Sequence, residues 1–185
     1  DDSLLADVRA AGRLTPAVTR RLTGYGILAA SAGADAILNC CSSVGEAADL
    51  LARMVEIPVV KIDDRLARTA VETGSRIGVL ATVPTPLDPT ERLLRRKAAE
   101  AGSEVEVRRY LVDGAFDALM DGDAARHDAL VLQAIERAAA DNDVVALAQG
   151  SMARLVSRLP PGIHVPVLSS PRLGVEALRS ALGME

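Results

Sequence analysis

Cysteine occurs twice in the 185 residues, as the adjacent pair Cys40 and Cys41. A disulfide between neighbours would strain the intervening peptide, so both read as free thiols of a reducing compartment. Cys41 follows a short apolar run at 36–40 and precedes Ser42, Ser43 and a helical pattern from Gly45. Its sulfur is therefore expected at the positive end of a helix dipole, where backbone N–H groups favour thiolate over thiol. Those N–H groups, with the hydroxyls of Ser42 and Ser43, suit an anion such as a carboxylate. Asn39 shares the strand face of Cys41 and is a further candidate contact, whereas alternation turns Cys40 to the other face. Such a set offers proton transfer or nucleophilic attack beside an anionic group. Free cysteines are also among the most buried residue types, and serines cap helices for stability alone, so a buried, inert Cys41 would mark a structural role.

Thr82 closes the uncharged run at 77–82, and Thr85 follows in the turn Val83-Pro84-Thr85-Pro86. Both stand at the carboxyl end of an expected parallel strand, where such sheets bind ligands, although threonines there also serve as turn caps. His127 and Asp128 lie between charged neighbours on a long helical pattern and read as a solvated face, and His164 follows the Pro160-Pro161-Gly162 turn. These residues have no metal-ligand spacing, and no glycine-rich phosphate loop occurs, so neither metal nor cofactor is expected.

The chain also resembles itself. Asp35-Ala-Ile-Leu-Asn-Cys-Cys41-Ser-Ser43 followed by Pro58-Val59-Val60 matches Asp143-Val-Val-Ala-Leu-Ala-Gln149-Gly-Ser151 followed by Pro166-Val167-Leu168, with 23 residues from Asp to Pro in each copy. The constant offset of 108 pairs Cys41 with Gln149, Ser43 with Ser151 and Val44 with Met152. Gly150 and Ser151 thereby join the candidate contacts. Asp2-Ser-Leu-Leu corresponds to Asp113-Gly-Ala-Phe with a shift of three. Self-similarity of this kind predicts two pseudo-equivalent lobes, one of 1–74 with 166–185 and one of 75–165. The stretch 76–112 has no counterpart before Asp2, and the chain opens on Asp1 rather than Met. The expectation is a longer native protein whose first lobe begins with a further strand, helix and strand, about 35 residues on this alignment. Without them a sheet edge and an apolar helix face would be exposed.

The positioning elements alternate. Thr15-Pro16 caps a helix over 16–32, and apolar spacing gives further helices over 45–55 and from 66 to Gly74. Asp88-Pro89-Thr90-Glu91 has the form of a capping box for a helix over 88–102, and helices are also expected over 123–140, from Ser151, and over 171–182. Short apolar runs bounded by turn residues give strands at 36–40, 57–62, 77–82, 105–111, 144–148 and 165–168. Such alternation implies an α/β fold with parallel central sheets flanked by helices, which the repeat divides into two pseudo-symmetric lobes.

Composition narrows the partners. With 49% hydrophobic and 25% charged residues the chain can bury a core. A net charge of -4 leaves no basic surplus for a phosphate backbone, and the 2% of aromatics (Tyr25, Tyr110, Phe116) offers no stacking platform for bases. Nucleic acid is not an expected partner. No 18-residue apolar run and no signal segment occur, so no membrane partner is expected and a cytoplasmic protein is. A homo-oligomer is left open.

Three motifs carry a family resemblance: Asp35 to Ser43, Gly78-Val-Leu-Ala-Thr82-Val-Pro-Thr85, and Asp143 to Met152. Together the chain resembles the aspartate/glutamate/hydantoin racemase superfamily, which includes maleate isomerases and arylmalonate decarboxylases. The resemblance implies two α/β lobes facing across a cleft, each offering one cysteine from a strand end. It further implies cofactor-free chemistry in which one thiolate removes the proton alpha to a carboxylate or carbonyl and the opposite thiol returns one. Cys41 stands at the first family cysteine and Gln149 at the second. An amide does not transfer protons usefully at neutral pH, so two-thiol racemisation is not expected in its standard form. The expected substrate is a small carboxylate or hydantoin-type molecule. The readings that follow are a racemase-like isomerase using Cys41 as acid/base, a one-cysteine isomerase, decarboxylase or lyase, or a non-catalytic carboxylate-binding protein. A purely structural lobe within an assembly is a further reading.

Overall fold

The computed structural model describes residues 1–184. Its elements are α1 (Ser3–Ala11), α2 (Pro16–Ser31), β1 (Ile37–Asn39), a 3-10 turn at Ser42–Val44, α3 (Gly45–Leu51), β2 (Val59–Lys61), α4 (Asp64–Thr73), β3 (Arg76–Ala81), α5 (Leu87–Glu100), β4 (Glu106–Leu111), α6 (Ala115–Met120), α7 (Ala124–Asp141), β5 (Val144–Leu147), a 3-10 segment at Gly150–Arg158, β6 (Val167–Ser169) and α8 (Ser170–Ala181). All strand pairs are parallel, in a two-stranded sheet β1-β2 and a four-stranded sheet β4-β3-β5-β6.

The repeat is written in the ladders. Ile37 pairs with Val59 and Val145 pairs with Val167, each 108 residues on from its counterpart. The bond from Ile37 N–H to the Pro58 carbonyl (2.8 Å) is matched by that from Val145 N–H to Pro166 (2.9 Å). α2 and α7 precede the equivalent strands. Each is started by a side-chain cap, Thr15 accepting from Val18 N–H at 3.3 Å and Asp123 from Arg126 N–H at 2.9 Å.

The two faces of the larger sheet build two cores. Ile77, Val79, Ala81, Val144 and Ala146 pack with Leu66 of α4 and Leu94 of α5. Leu80, Val145 and Leu147 pack with Val131 and Ile135 of α7 and with Met152 and Leu155. This is the period-two division that a strand covered on both faces imposes. A third, smaller cluster of Val8, Val18 and Val44 ties α1 and α2 to the turn after β1, and Cys41 packs against it.

Several details differ from the sequence expectation. α5 begins at Leu87, whose N–H bonds the Pro84 carbonyl at 3.1 Å, so Asp88 is inside the first turn rather than at a cap. Pro89 is tolerated there because first-turn N–H groups have no intrahelical partner. The segment after Gln149 is 3-10 rather than α, and its three-residue repeat aligns Met152 and Leu155, both fully buried. α1 and α6 were not foreseen, although Val8 and the left-handed Gly12 (φ 65°) mark the end of α1. β6 stays with the larger sheet. After Ser169 the chain continues into α8, which packs on α4 and β2; residue 185 lies outside the described residues. Among the described residues no helix is long and apolar enough to cross a membrane.

Candidate active site

Cys41 and Gln149 occupy equivalent corners. Each has extended backbone (φ -130°, ψ 113° and φ -138°, ψ 134°) as the chain leaves a parallel strand and tightens into 3-10 geometry. Each carbonyl accepts from the residue three on, Val44 and Met152, at 3.2 Å. Between the corners lies a cavity of about 160 Å³. The first lobe contributes Leu5, Cys40, Cys41, Ser42, Ser43 and Ile62, and the second Val83, Pro86, Ala148, Gln149, Gly150 and Ser151, with Ser170 at the start of α8.

Thr82 reaches this cavity through Gln149. Its backbone N–H and hydroxyl donate to Gln149 Oε1 at 2.6 and 3.1 Å. With its oxygen held twice, Gln149 has its Nε2 donors left for a ligand and no basic atom to spare. Asn39 acts in a similar way on the other side. Its Nδ2 donates to the Cys41 carbonyl at 3.0 Å, fixing the turn instead of lining the cavity. Thr85 also stands outside the cavity, but its Oγ1 accepts from Ser43 Oγ at 3.2 Å across the two lobes.

Cys40 is the main departure. It lines the same cavity as Cys41 and is exposed, whereas Cys41 is half-buried against the small apolar cluster. β1 ends at Asn39, so strict alternation no longer governs residues 40 and 41. Sequence reasoning also missed Ile62 and Ser170, which line the cavity and are themselves related by the offset of 108. Extending the repeat past Pro58 would have found them. His127 and Asp128 are buried rather than solvated. Hydrogen bonds from Arg154 hold the Asp128 carboxyl below its ordinary range, with His127 adding a bond of 3.0 Å. That group sits on α7 and 3-10 segment surfaces away from the cavity lining. No group of three or more His, Cys, Asp or Glu able to hold a metal occurs among the described residues.

The profile of the Asp/Glu/hydantoin racemase family matches residues 5–178. The chain belongs to that family. No curated protein sequence matches it. Among solved structures it is similar to allantoin racemase from Klebsiella pneumoniae (TM-score 0.70, 20% identity, 90% of this chain and 68% of that one). It is also similar to glutamate racemase isoform RacE1 from Bacillus anthracis (TM-score 0.65, 20% identity, 80% of this chain and 58% of that one). An arylmalonate decarboxylase shares the fold too (TM-score 0.60, 18% identity, 90% of this chain and 77% of that one). At these identities the likeness is one of fold.

Proposed function

We propose that the site acts, without a cofactor, at the carbon alpha to a carboxylate or carbonyl of a small substrate, with Cys41 as its proton carrier. The observation that carries this reading is the single cavity to which the family-matched thiol and the doubly held Gln149 both contribute. The Cys41 thiolate takes the alpha proton, and the C–H electron pair moves into the adjoining carboxylate or carbonyl. Negative charge then builds on its oxygens, where the hydroxyls of Ser42 and Ser151, the turn N–H groups around Gly150, and Gln149 Nε2 stabilise it. Return of the proton from the Cys41 thiol to the same face restores the C–H bond. Gln149 can hold the substrate in this scheme but cannot deliver a proton from its own side. Exchange with retention is therefore the basal reaction, and racemisation requires a proton from elsewhere.

The test is incubation in D2O with amino acids, hydantoins and arylmalonates, reading alpha-deuteration by NMR and chirality by polarimetry. Deuteration that outpaces inversion and disappears in Cys41→Ser supports the reading. Absence of deuteration across the panel, or deuteration undiminished in Cys41→Ser, overturns it.

A further inference from the structure

A second, larger cavity of about 460 Å³ lies beside the first, and neither Cys41 nor Gln149 lines it. Its walls are α1 with the residues after it, the start of α3, the turn between β3 and α5, the first turns of α5, and β4. Arg9, Arg13, Arg92 and Arg109 are among its lining residues, together with Glu46 and Asp88. Two of the four are already neutralised. Arg92 bonds Glu46 at 2.7 Å, and Arg109 bonds Asp88 and Glu91 at 2.5 and 2.6 Å. The other two are not. Arg9 lies over the Phe116 ring, 4.4 Å from its centre, and Arg13 has no ion-pair or hydrogen-bond partner among the described residues. Both belong to the first lobe, while Arg109 and Asp88 belong to the second.

We propose that this cavity is a binding site for a small organic anion carrying two or more negative charges, a phosphate ester or polycarboxylate. Its volume falls in the range of ligand pockets, and two uncompensated guanidinium forks supply the paired donors that phosphate and carboxylate oxygens accept. Surface arginines without partners are commonplace. Four arginines lining one concave space, against three carboxylates once Glu91 is counted with Glu46 and Asp88, are less so in a chain of net charge -4. An anion held by Arg9 and Arg13 would rest against the wall formed by the turn after β3. There Ser43 and Thr85 bond to each other at 3.2 Å. Ser43 lines both cavities, which places the anion next to the thiol site but not in it.

Titration calorimetry with pyrophosphate and with citrate tests the proposal and separates the two oxyanion types. The expected result is one site per chain for at least one probe, weakened at least tenfold in Arg13→Gln and in Arg9→Gln, and weakened again by added salt. Both substitutions fall on exposed positions, and circular dichroism checks that the fold is kept. Alkylation of the cysteines by iodoacetamide should continue in the saturated protein, because the thiols lie in the other cavity. Binding by neither probe at millimolar concentration, affinity unchanged in both variants, or loss of alkylation in proportion to occupancy would each overturn it. Exchange catalysis can fail without affecting these readouts, so this proposal stands or falls separately from the one above.

Discussion

Gln149 Oε1 accepts two hydrogen bonds from Thr82, from the backbone N–H at 2.6 Å and the hydroxyl at 3.1 Å, across 67 residues of sequence. The amide on the second lobe is therefore set by the end of β3 and not by its own strand alone. Thr82→Val keeps the N–H and removes the hydroxyl, a net change of about 0.5–1.5 kcal/mol at one hydrogen bond. Substrate affinity should fall roughly two- to tenfold with kcat little changed, and KM and kcat measured on the best exchange substrate check this.

Gln149→Ala should weaken binding more than it slows proton removal, since an amide orients but does not titrate. Gln149→Cys introduces an ionisable group at the second corner, and inversion should rise relative to deuteration. The ratio of the two rates in D2O is the measurement. Loss of exchange in Gln149→Ala as complete as in Cys41→Ser, with binding intact, would give Gln149 a chemical role instead.

The two thiols should separate accessibility from function. An unselective alkylating reagent reaches exposed Cys40 first, while Cys41 is sheltered by Val8, Val18 and Val44. Peptide mapping of partly modified protein is expected to show Cys40 labelled ahead of Cys41. Activity should follow the Cys41 label, and Cys40→Ser should retain exchange.

Gly174 of α8 allows close approach to the first lobe. A Cβ there would stand 2.6 Å from Ile62 Cγ1 and 2.9 Å from both its Cα and its carbonyl oxygen. Backbone cannot swing aside as a side-chain tip can, so Gly174→Ala should cost about 1–3 kcal/mol of stability. Denaturant midpoints check this. Because Ile62 lines the thiol cavity, ligand affinity should fall as well.

Asp143 accepts from Arg76 Nη2 (2.7 Å), Arg76 N–H (2.8 Å) and Ser75 N–H (3.2 Å). The Arg76 side chain, first, and then its backbone N–H lower the carboxyl to about 2. An unfolded Asp titrates near 3.9, so the stabilisation is complete above about pH 4 and is lost as pH falls toward 2. Asp143→Asn should thus be less stable than the parent at neutral pH, with the gap closing in acid. Thermal midpoints of both proteins across pH 2 to 6 check the sign.

Much of the architecture was legible because parallel strands buried on both faces leave uncharged runs between turns, as at 77–82. The repeat located Cys41 and Gln149 at matching corners because its constant offset fixes sheet register, and register fixes which strand ends face each other. What escaped had no such signature. The 3-10 form of Gly150–Arg158 depends on a tertiary need to bury Met152 and Leu155 on one line, and α1 is too short for its period to show. The position of Cys40 turns on the single residue at which β1 stops. The bonds that tie Thr82 to Gln149 and Asn39 to the Cys41 carbonyl are side-chain contacts that spacing does not encode.

Among the described residues the ladders flanking the two corners are unequal: β5 is bonded on both sides, to β3 and β6, while β1 is bonded to β2 alone. Amide hydrogens of Val145 and Ala146 should be among the slowest to exchange with solvent, and those of β1 among the quicker. In a chain of these residues the segment bearing the thiols can therefore loosen by a local opening that leaves the four-stranded sheet closed, and on warming Cys41 would become open to alkylation before that sheet melts.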